Sequence, residues 1–259
     1  MPQDFKQARK DWARARSAEI QYGSALRKIA RHIADIIRGM SPNDENDASL
    51  LQHALRRYAD ILDPWARKRA EAMIAEVRAR SDKQWRSVGA EMGRGFREIL
   101  TGPDAIGARQ RQLMAEQITL IKSIPLEAAE RVHHLVQQSA IKGERFTSII
   151  PEIMRGGEVA KSKATLIART ETGRALTALT QARAETVGSD GYQWQTVNDA
   201  AVRPSHRAMS GKFVRWDSPP TLDGLTGHAG ALPNCRCFAI PLIPMPGEPV
   251  RPRFMAEAA

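Results

Sequence analysis

Residues 194–237 hold most of the side chains in this sequence that could carry out chemistry. Both cysteines and two of the six histidines lie there, separated by 22, 7 and 2 positions along the chain. Thiolates and neutral imidazoles are ligands that zinc prefers, and this segment is too rich in loop residues for packing alone to fix its shape. The sequence therefore predicts a structural zinc site built from His206, His228, Cys235 and Cys237. The alternative is two small buried thiols and two hydrogen-bonding histidines.

Charged and amide side chains flank these candidate ligands. Asp199 and Arg203 border a predicted turn ahead of His206, and we expect them to pair with each other or to hold loop amides. Arg236 is expected to do the same. Asn234 precedes the first cysteine and is typical of a turn in which the side chain bonds nearby backbone. We interpret all of these flanking residues as structural.

A catalytic interpretation of the same residues is the alternative. Asp199 would act as a base and His206 as a metal ligand in a metal-dependent, nuclease-like hydrolase that also uses His228 and the two thiolates. Asp217 and Asp223 fall in predicted loops and are expected to be ordinary surface acids. The sequence also has no phosphate-binding glycine loop, nucleophile elbow or zinc-protease helix motif. The chain is therefore predicted not to be an enzyme.

Long helices are predicted to position this segment. Before Gly188 the sequence is rich in alanine, arginine and leucine, and its apolar residues recur at helical spacing. Asp47 is expected to cap the second helix, and Ser123 with Pro125 to separate two later ones. Glu171, inside the last long helix, is expected to face solvent, with contact to Arg174 or to the C-terminal module as the alternatives. We predict helices at 4–38, 48–62, 64–100, 104–122, 126–141, 146–154 and 158–187, the third ending at Thr101–Pro103.

After Gly188 the pattern changes to that of short strands and loops. Tyr192–Val197 alternates bulky and polar residues, and Phe213–Trp216 and Phe238–Leu242 are two further strand candidates. The predicted fold class is mainly α, with a long-helix N-terminal region followed by a small α+β C-terminal module of short strands and loops. The predicted domains are a helical region at 1–125, the module at 126–243 and an extended tail at 244–259.

The charge and the cysteine count narrow the class of protein. The formal charge is +10, from 39 Lys and Arg against 29 Asp and Glu. This balance favours an acidic partner such as nucleic acid, or indicates a solvated helical surface rich in arginine. No apolar run approaches the ~20 residues of a membrane span, and no secretory leader is present. We therefore expect a soluble protein without a membrane partner, made in the cytoplasm, with free thiols or a metal site rather than a disulfide framework.

Three segments, taken in order, resemble a known family. An A-R-T-E-T helix (Ala168–Thr172) is followed by W-Q-T-V-N-D-A-A-V-R-P-S-H (Trp194–His206) and then by P-N-C-R-C-F-A-I-P (Pro233–Pro241). This order resembles the head morphogenesis domain of tailed phages, the Mu F-like minor head proteins. The resemblance covers about residues 130–242, and its densest motifs are D-x-x-V-R-x-x-H and N-C-R-C.

The resemblance implies a minor structural protein of the phage head, located in the virion after assembly in the host cytoplasm. Its implied partners are the portal protein and the major capsid protein, on which residues 1–125 would dock while the protein assists head assembly and genome packaging or ejection. Packaged double-stranded DNA is a further expected partner, contacted through phosphates without sequence readout. His228 lies in the variable loop between the two motifs. By motif matching, the signature positions are Asp199, Arg203, His206, Asn234, Cys235, Arg236 and Cys237.

Overall fold

A computed structural model gives the structure of this protein and describes residues 5–92 and 104–244. The helices of the described chain are α1 (Phe5–Met40), α2 (Glu45–Ile61), α3 (Asp63–Met92), α4 (Asp104–Lys142), a 3₁₀ turn (Phe146–Ser148), α5 (Ile150–Met154), α6 (Gly156–Thr186) and α7 (Pro204–Ala208). The strands are β1 (Gly191–Thr196), β2 (Phe213–Arg215), β3 (Thr221–Leu222), β4 (Leu225–Thr226) and β5 (Cys237–Pro241).

The fold class is mainly α, with long helices before a small region of short antiparallel strands, as the sequence predicts. The central strand β1 pairs with β2 on one side and with β5 on the other. Each of these strands begins within one residue of its predicted position. The pairing register sets Thr196, the last residue of β1, opposite Cys237, the first residue of β5. The β3–β4 hairpin, in a segment predicted as loop, is an addition.

The described residues form two compact units. The first, here called the sheet unit, comprises residues 5–19, 73–92, 104–113 and 169–244. Its core joins Trp85 of α3 and Ala184 of α6 to Tyr192, Trp194 and Trp216 of the strand region. Aromatic side chains bury large apolar areas, and β1, the central strand, contributes two of them to this core.

The second unit, the helix unit, comprises residues 20–72 and 114–168. Leu26, Ile29, Ile33 and Ile37 lie on one face of α1 and are almost fully buried. Their spacing of three and four residues is that of a single helical stripe. A β-carbon at Gly157 would lie 2.4 Å from the β-carbon of Ala34, so the start of α6 packs directly on this stripe.

The predicted helix break at Ser123 and Pro125 is wrong, because α4 runs through the proline without interruption. Proline costs a helix one hydrogen bond and some steric strain. Here the buried face continues on both sides of it, with Ile121, Ile124 and Ala129 all at most 1% exposed. Burial of that face outweighs the local cost. The predicted domain boundary at 125 stays a prediction.

The start of α2 also differs from the prediction. Asp44, rather than Asp47, is the N-cap residue, and its side chain accepts a hydrogen bond of 2.8 Å from the backbone N–H of Asp47. Asp47 lies inside the first turn, where its own carboxylate accepts from the backbone N–H of Asn43 at 3.0 Å. The two carboxylates thus satisfy two backbone N–H groups at the start of α2.

Some predictions fall on other parts of the chain. The end of the third helix near Leu100, its stop at Thr101–Pro103 and nearly all of the tail at 244–259 lie outside the described residues. Within the described residues, no helix combines the length and the apolar character needed to cross a membrane.

Candidate metal centre

The pairing of β1 with β5 brings the two sequence motifs together. The first motif follows the end of β1, and the second precedes the start of β5, so antiparallel pairing sets both at the same edge of the sheet. The backbone N–H of Val197 donates to the carbonyl oxygen of Arg236 at 3.2 Å, which extends the pairing beyond the last strand residues. Asn198 and Asn234 then turn the chain with positive φ values of 56° and 53°. Asparagine tolerates this left-handed conformation better than most residues.

The short helix α7 places His206 over the two thiols. Pro204 is its first residue, and the preceding Arg203 is held extended at φ −59° and ψ 145°. A residue before proline avoids the helical region, and proline suits the first position of a helix, so the Arg-Pro pair determines where α7 begins. His206 is then the third residue of α7, within its first turn, and is only 1% exposed.

Three of the four predicted ligands converge. The Nδ1 atom of His206 lies 3.4 Å from the Sγ atom of Cys235 and 3.5 Å from that of Cys237. The ligand atoms of these three residues all lie within 4.8 Å of one another. Cys237 is buried and Cys235 is half-buried, and both are free thiols. This donor set is suited to a soft or borderline metal ion such as Zn²⁺.

The pKa values of the two thiols shift in opposite directions. The hydrogen bond from Cys237 lowers the pKa of Cys235 to about 6, with burial opposing the shift and the Gly230 backbone N–H adding to it. The same hydrogen bond, together with burial, raises the pKa of Cys237 well above its usual value. One thiolate is therefore available at neutral pH, and a bound cation would favour release of the second proton.

His228, the predicted fourth ligand, lies elsewhere, which corrects the predicted four-residue set. Its Nδ1 atom is 3.2 Å from the phenol oxygen of Tyr192, and its ring meets the ring of Trp216 edge-on at 5.5 Å. The same phenol oxygen accepts the backbone N–H of Ala229 at 3.0 Å. These bonds hold the 228–229 segment against the aromatic core, and the group of close ligand atoms consists of His206 and the two cysteines.

The environment of His228 gives stability a pH dependence. Burial lowers the pKa of His228, while a hydrogen bond with the Trp216 backbone opposes the shift. The unfolded chain then binds a proton at His228 more readily than the folded chain does. The contribution of His228 to the free energy of unfolding is therefore fully present above about pH 6.5 and is lost as the pH falls below that value. Urea unfolding from about pH 8 to pH 5.5 should show a steeper loss for the natural protein than for His228→Gln. His134→Gln, at a side chain 62% exposed, is the matched control. Equal slopes for the natural protein and His228→Gln would contradict this account.

Asp199, Arg203 and Arg236, three of the four flanking signature residues, form their hydrogen bonds and ion pairs within the sheet unit. Asp199 forms an ion pair with Arg236, not with Arg203 as one of the predicted alternatives had it, and its Oδ1 atom accepts the backbone N–H of Ala201 at 3.1 Å. Arg203 donates to the carbonyl oxygen of Pro233 at 2.8 Å. These bonds cross from one motif to the other. The predicted role of holding the loops is the one that their contacts support.

One face of α6 contacts the loop that carries the cysteines. The Oγ1 atom of Thr170 accepts the backbone N–H of Asn234 at 3.2 Å, and the Oγ1 atom of Thr177 donates to the carbonyl oxygen of Ala229 at 2.7 Å. With Gly173 between them, these residues have the spacing of one helical face. Glu171 is only 6% exposed rather than facing solvent, and its carboxylate lies 3.4 Å from Arg174, the predicted i+3 partner. The A-R-T-E-T segment therefore packs against the loop that carries the second motif.

Gly173 has a direct steric role at this contact. A β-carbon there would lie 2.7 Å from the carbonyl oxygen of Gly230, and Gly230 in turn donates its backbone N–H to Cys235 Sγ at 3.4 Å. Glycine to alanine in an unconstrained helix gains up to about 1 kcal/mol. For Gly173→Ala we instead expect a loss of about 1–3 kcal/mol in the free energy of unfolding, because the backbone of the loop must move.

Denaturant unfolding measures this effect, and Gly107→Ala in α4 is the matched control. The nearest atom to a β-carbon at Gly107 is the flexible Nη1 of Arg111, at 3.6 Å. The control should be neutral or stabilising. Equal stabilisation by the two substitutions would mean that α6 and the loop are not in close contact.

Sequence reasoning missed Asp223. Its carboxylate accepts a hydrogen bond of 2.8 Å from Ser205 and lies 3.9 Å from Nε2 of His206, so it is more than a surface acid. The available signal was the Asp-Gly pair at 223–224, which is typical of a two-residue hairpin turn. Both residues have positive φ, 53° and 78°, as such a turn requires.

Comparison with known proteins identifies the region that contains these motifs. The family model described as "Phage Mu protein F like protein" matches residues 130–240. An uncharacterized protein of Haemophilus influenzae is 35% identical over 131 residues, which are 51% of this chain and 29% of that protein. The chain thus matches less than a third of the length of that relative. No solved structure matches the chain. Residues 130–240 are therefore similar to the phage Mu protein F-like family, which confirms the resemblance predicted from the motifs.

Proposed function

We propose that this chain is a minor structural protein of a tailed-phage head, and that its Mu F-like domain has no catalytic role. The observation that carries this proposal is the use of the signature side chains. The side chains of Asp199 and Arg236 pair with each other, that of Arg203 donates to the carbonyl oxygen of Pro233, and that of Asn234 accepts from Arg169 of α6 at 3.4 Å. Side chains used in this way hold a shape. The family match supports phage head morphogenesis as the process in which that shape is used.

The proposed partners are the portal protein and the major capsid protein. In this proposal the chain joins the procapsid in the host cytoplasm, stays in the virion, and assists head assembly and genome packaging or ejection. A direct test is to delete its coding sequence from the phage or prophage that carries it and to inspect induced lysates by electron microscopy. We expect few DNA-filled heads, and recovery when the natural chain is supplied from a plasmid. A normal yield of filled heads after deletion would contradict the proposal.

Packaged double-stranded DNA is a further proposed partner. The formal charge of +10 favours contact with phosphates. Binding of this kind releases counterions, so the affinity should fall by about a thousandfold or more between about 50 and 200 mM salt if six or more phosphates are contacted. Fluorescence anisotropy with a labelled duplex measures the slope. An affinity that stays flat over this range would remove DNA from the proposed partners.

A metal-dependent hydrolase that uses Asp199, His206 and the two thiols is the second candidate. The donor set with three converging ligands favours it, because catalytic zinc keeps one position open to water. Two observations favour the structural role instead. Asp199 is already paired with Arg236, and a cavity of about 550 Å³ is lined by residues 124–163 of the helix unit and by none of the ligands. Zinc-dependent DNA cleavage that is lost in His206→Ala would decide for the hydrolase.

A further inference from the structure

The distances within the His206–Cys235–Cys237 group match three corners of a tetrahedral zinc site. With Zn–S bonds of about 2.3 Å and Zn–N bonds of about 2.0–2.1 Å, a tetrahedral ion separates a ligand sulfur from a ligand nitrogen by about 3.5 Å. The two distances from Nδ1 of His206 to the sulfur atoms are 3.4 and 3.5 Å. The backbone therefore already holds the imidazole nitrogen at the separation from each sulfur that a zinc ion requires, with all three donor atoms within 4.8 Å of one another.

The second observation concerns the other nitrogen of the same ring. The Nε2 atom of His206 is buried and has no hydrogen-bond partner among the described residues. A histidine that binds metal through one nitrogen carries a proton on the other, and a carboxylate commonly holds that proton. Asp223 is suitably placed, with its Oδ2 atom 3.9 Å from Nε2.

Asp223 is itself held in position. Its Oδ2 atom accepts from the hydroxyl of Ser205 at 2.8 Å and lies 3.8 Å from the guanidinium of Arg203. The carboxylate belongs to the β3–β4 hairpin, while Ser205 and His206 belong to α7. The hairpin thus brings one acidic side chain to the Nε2 side of the imidazole, while the thiols lie on its Nδ1 side.

We propose that His206, through Nδ1, binds a zinc ion together with Cys235 and Cys237, and that Asp223 is a positioning residue that holds the His206 ring through Nε2. The backbone N–H of Gly230, 3.4 Å from Cys235 Sγ, stabilises the negative charge on that sulfur. This proposal does not depend on the role in the phage head.

Metal analysis of the full chain, purified under reducing conditions without chelator, tests the ligand set. We expect about one zinc ion per chain. Replacement of zinc by Co²⁺ should give a sulfur-to-cobalt charge-transfer band that weakens by about half in Cys235→Ser and disappears in the double Cys235→Ser, Cys237→Ser variant. His228→Gln should keep both the metal and the band. A natural protein with no zinc and no cobalt band would overturn the site. That result is expected if the two thiols are only hydrogen-bonded to the imidazole. Loss of metal in a folded His228→Gln would overturn the assignment of ligands.

Asp223→Asn tests the positioning role, with zinc affinity measured by competition with a chromophoric chelator. We expect affinity to fall about 10- to 100-fold while the cobalt band keeps its intensity, since the two thiolates remain. Asp217→Asn is the matched control, because Asp217 is an exposed acid of the same unit whose carboxylate pairs with Arg215. Its affinity should not change. Equal affinities for Asp223→Asn and Asp217→Asn would overturn the role of Asp223 while leaving the site itself to stand on the cobalt band.

Discussion

Replacing Arg183 with methionine should lower the free energy of unfolding by about 3–5 kcal/mol. The Arg183 side chain, on α6, is 1% exposed and forms an ion pair with Asp82 of α3, and it also donates to the hydroxyl of Ser81. Burial lowers the pKa of Arg183, and the Asp82 carboxylate opposes that shift, so the pair must stay together for the charge to be tolerated. Methionine fills similar volume but leaves a partly buried carboxylate and a buried hydroxyl without their donor.

Denaturant unfolding of the natural protein and Arg183→Met gives the difference. Arg38→Met is the control, since Arg38 pairs with Asp35 on the surface and both side chains are at least 60% exposed. Such exposed pairs contribute about 0–1 kcal/mol. The double variant Arg183→Met, Asp82→Asn should recover part of the loss, because it removes a carboxylate that would keep only its longer ion pair of 3.8 Å with Arg78. A loss for Arg183→Met no larger than that of the control would mean that the buried pair does not join α3 to α6.

Trp194→Ala should be comparably severe, with an expected loss of about 3–5 kcal/mol. Trp194 is fully buried at the centre of β1. Its ring stacks beside Tyr192 at 6.4 Å and meets the ring of His206 edge-on at 5.7 Å. The substitution therefore leaves a cavity in the core of the sheet unit and removes the support of the His206 ring on one side.

Two readouts separate these consequences of Trp194→Ala. Thermal or denaturant unfolding reports the cavity, and zinc affinity reports the lost support of His206. Trp194→Phe keeps an aromatic edge near the imidazole and should lose markedly less of both. If Trp194→Ala unfolds at the same denaturant concentration as the natural protein, the aromatic core does not stabilise the sheet unit as described.

The sheet could be predicted from sequence because its signals are local. Alternation in Tyr192–Thr196 and the short apolar runs near Phe213 and Phe238 mark strands by the two-residue period. Pairing of β1 with β5 then accounts for why two motifs about thirty residues apart meet at one edge. The convergence of His206 with the two cysteines follows from that pairing and from the start that Pro204 gives to α7.

The parts that sequence reasoning missed depend on long-range packing. The spacing of His228 along the chain is compatible with a metal ligand. Only its hydrogen bond with Tyr192 shows that the ring packs against the aromatic core instead. Pro125 is a breaker by its local chemistry, but a buried face that continues on both sides of it outweighs that preference. Asp223 acquires its partners only when the β3–β4 hairpin lies against α7. The Asp-Gly pair at 223–224 marks the turn of this hairpin, but no signal within a few residues gives the contacts that decide these three outcomes.

The proposed role is that of a structural component of a phage head, held in shape by the two motifs and the helix before them. Quantitative mass spectrometry of gradient-purified heads from the phage or prophage that carries it tests that claim most directly. We predict peptides from residues 130–240 in the head fraction, at a constant ratio to the major capsid protein across independent preparations. Heads that lack the chain, with all of it left in the soluble fraction of the lysate, would contradict the claim.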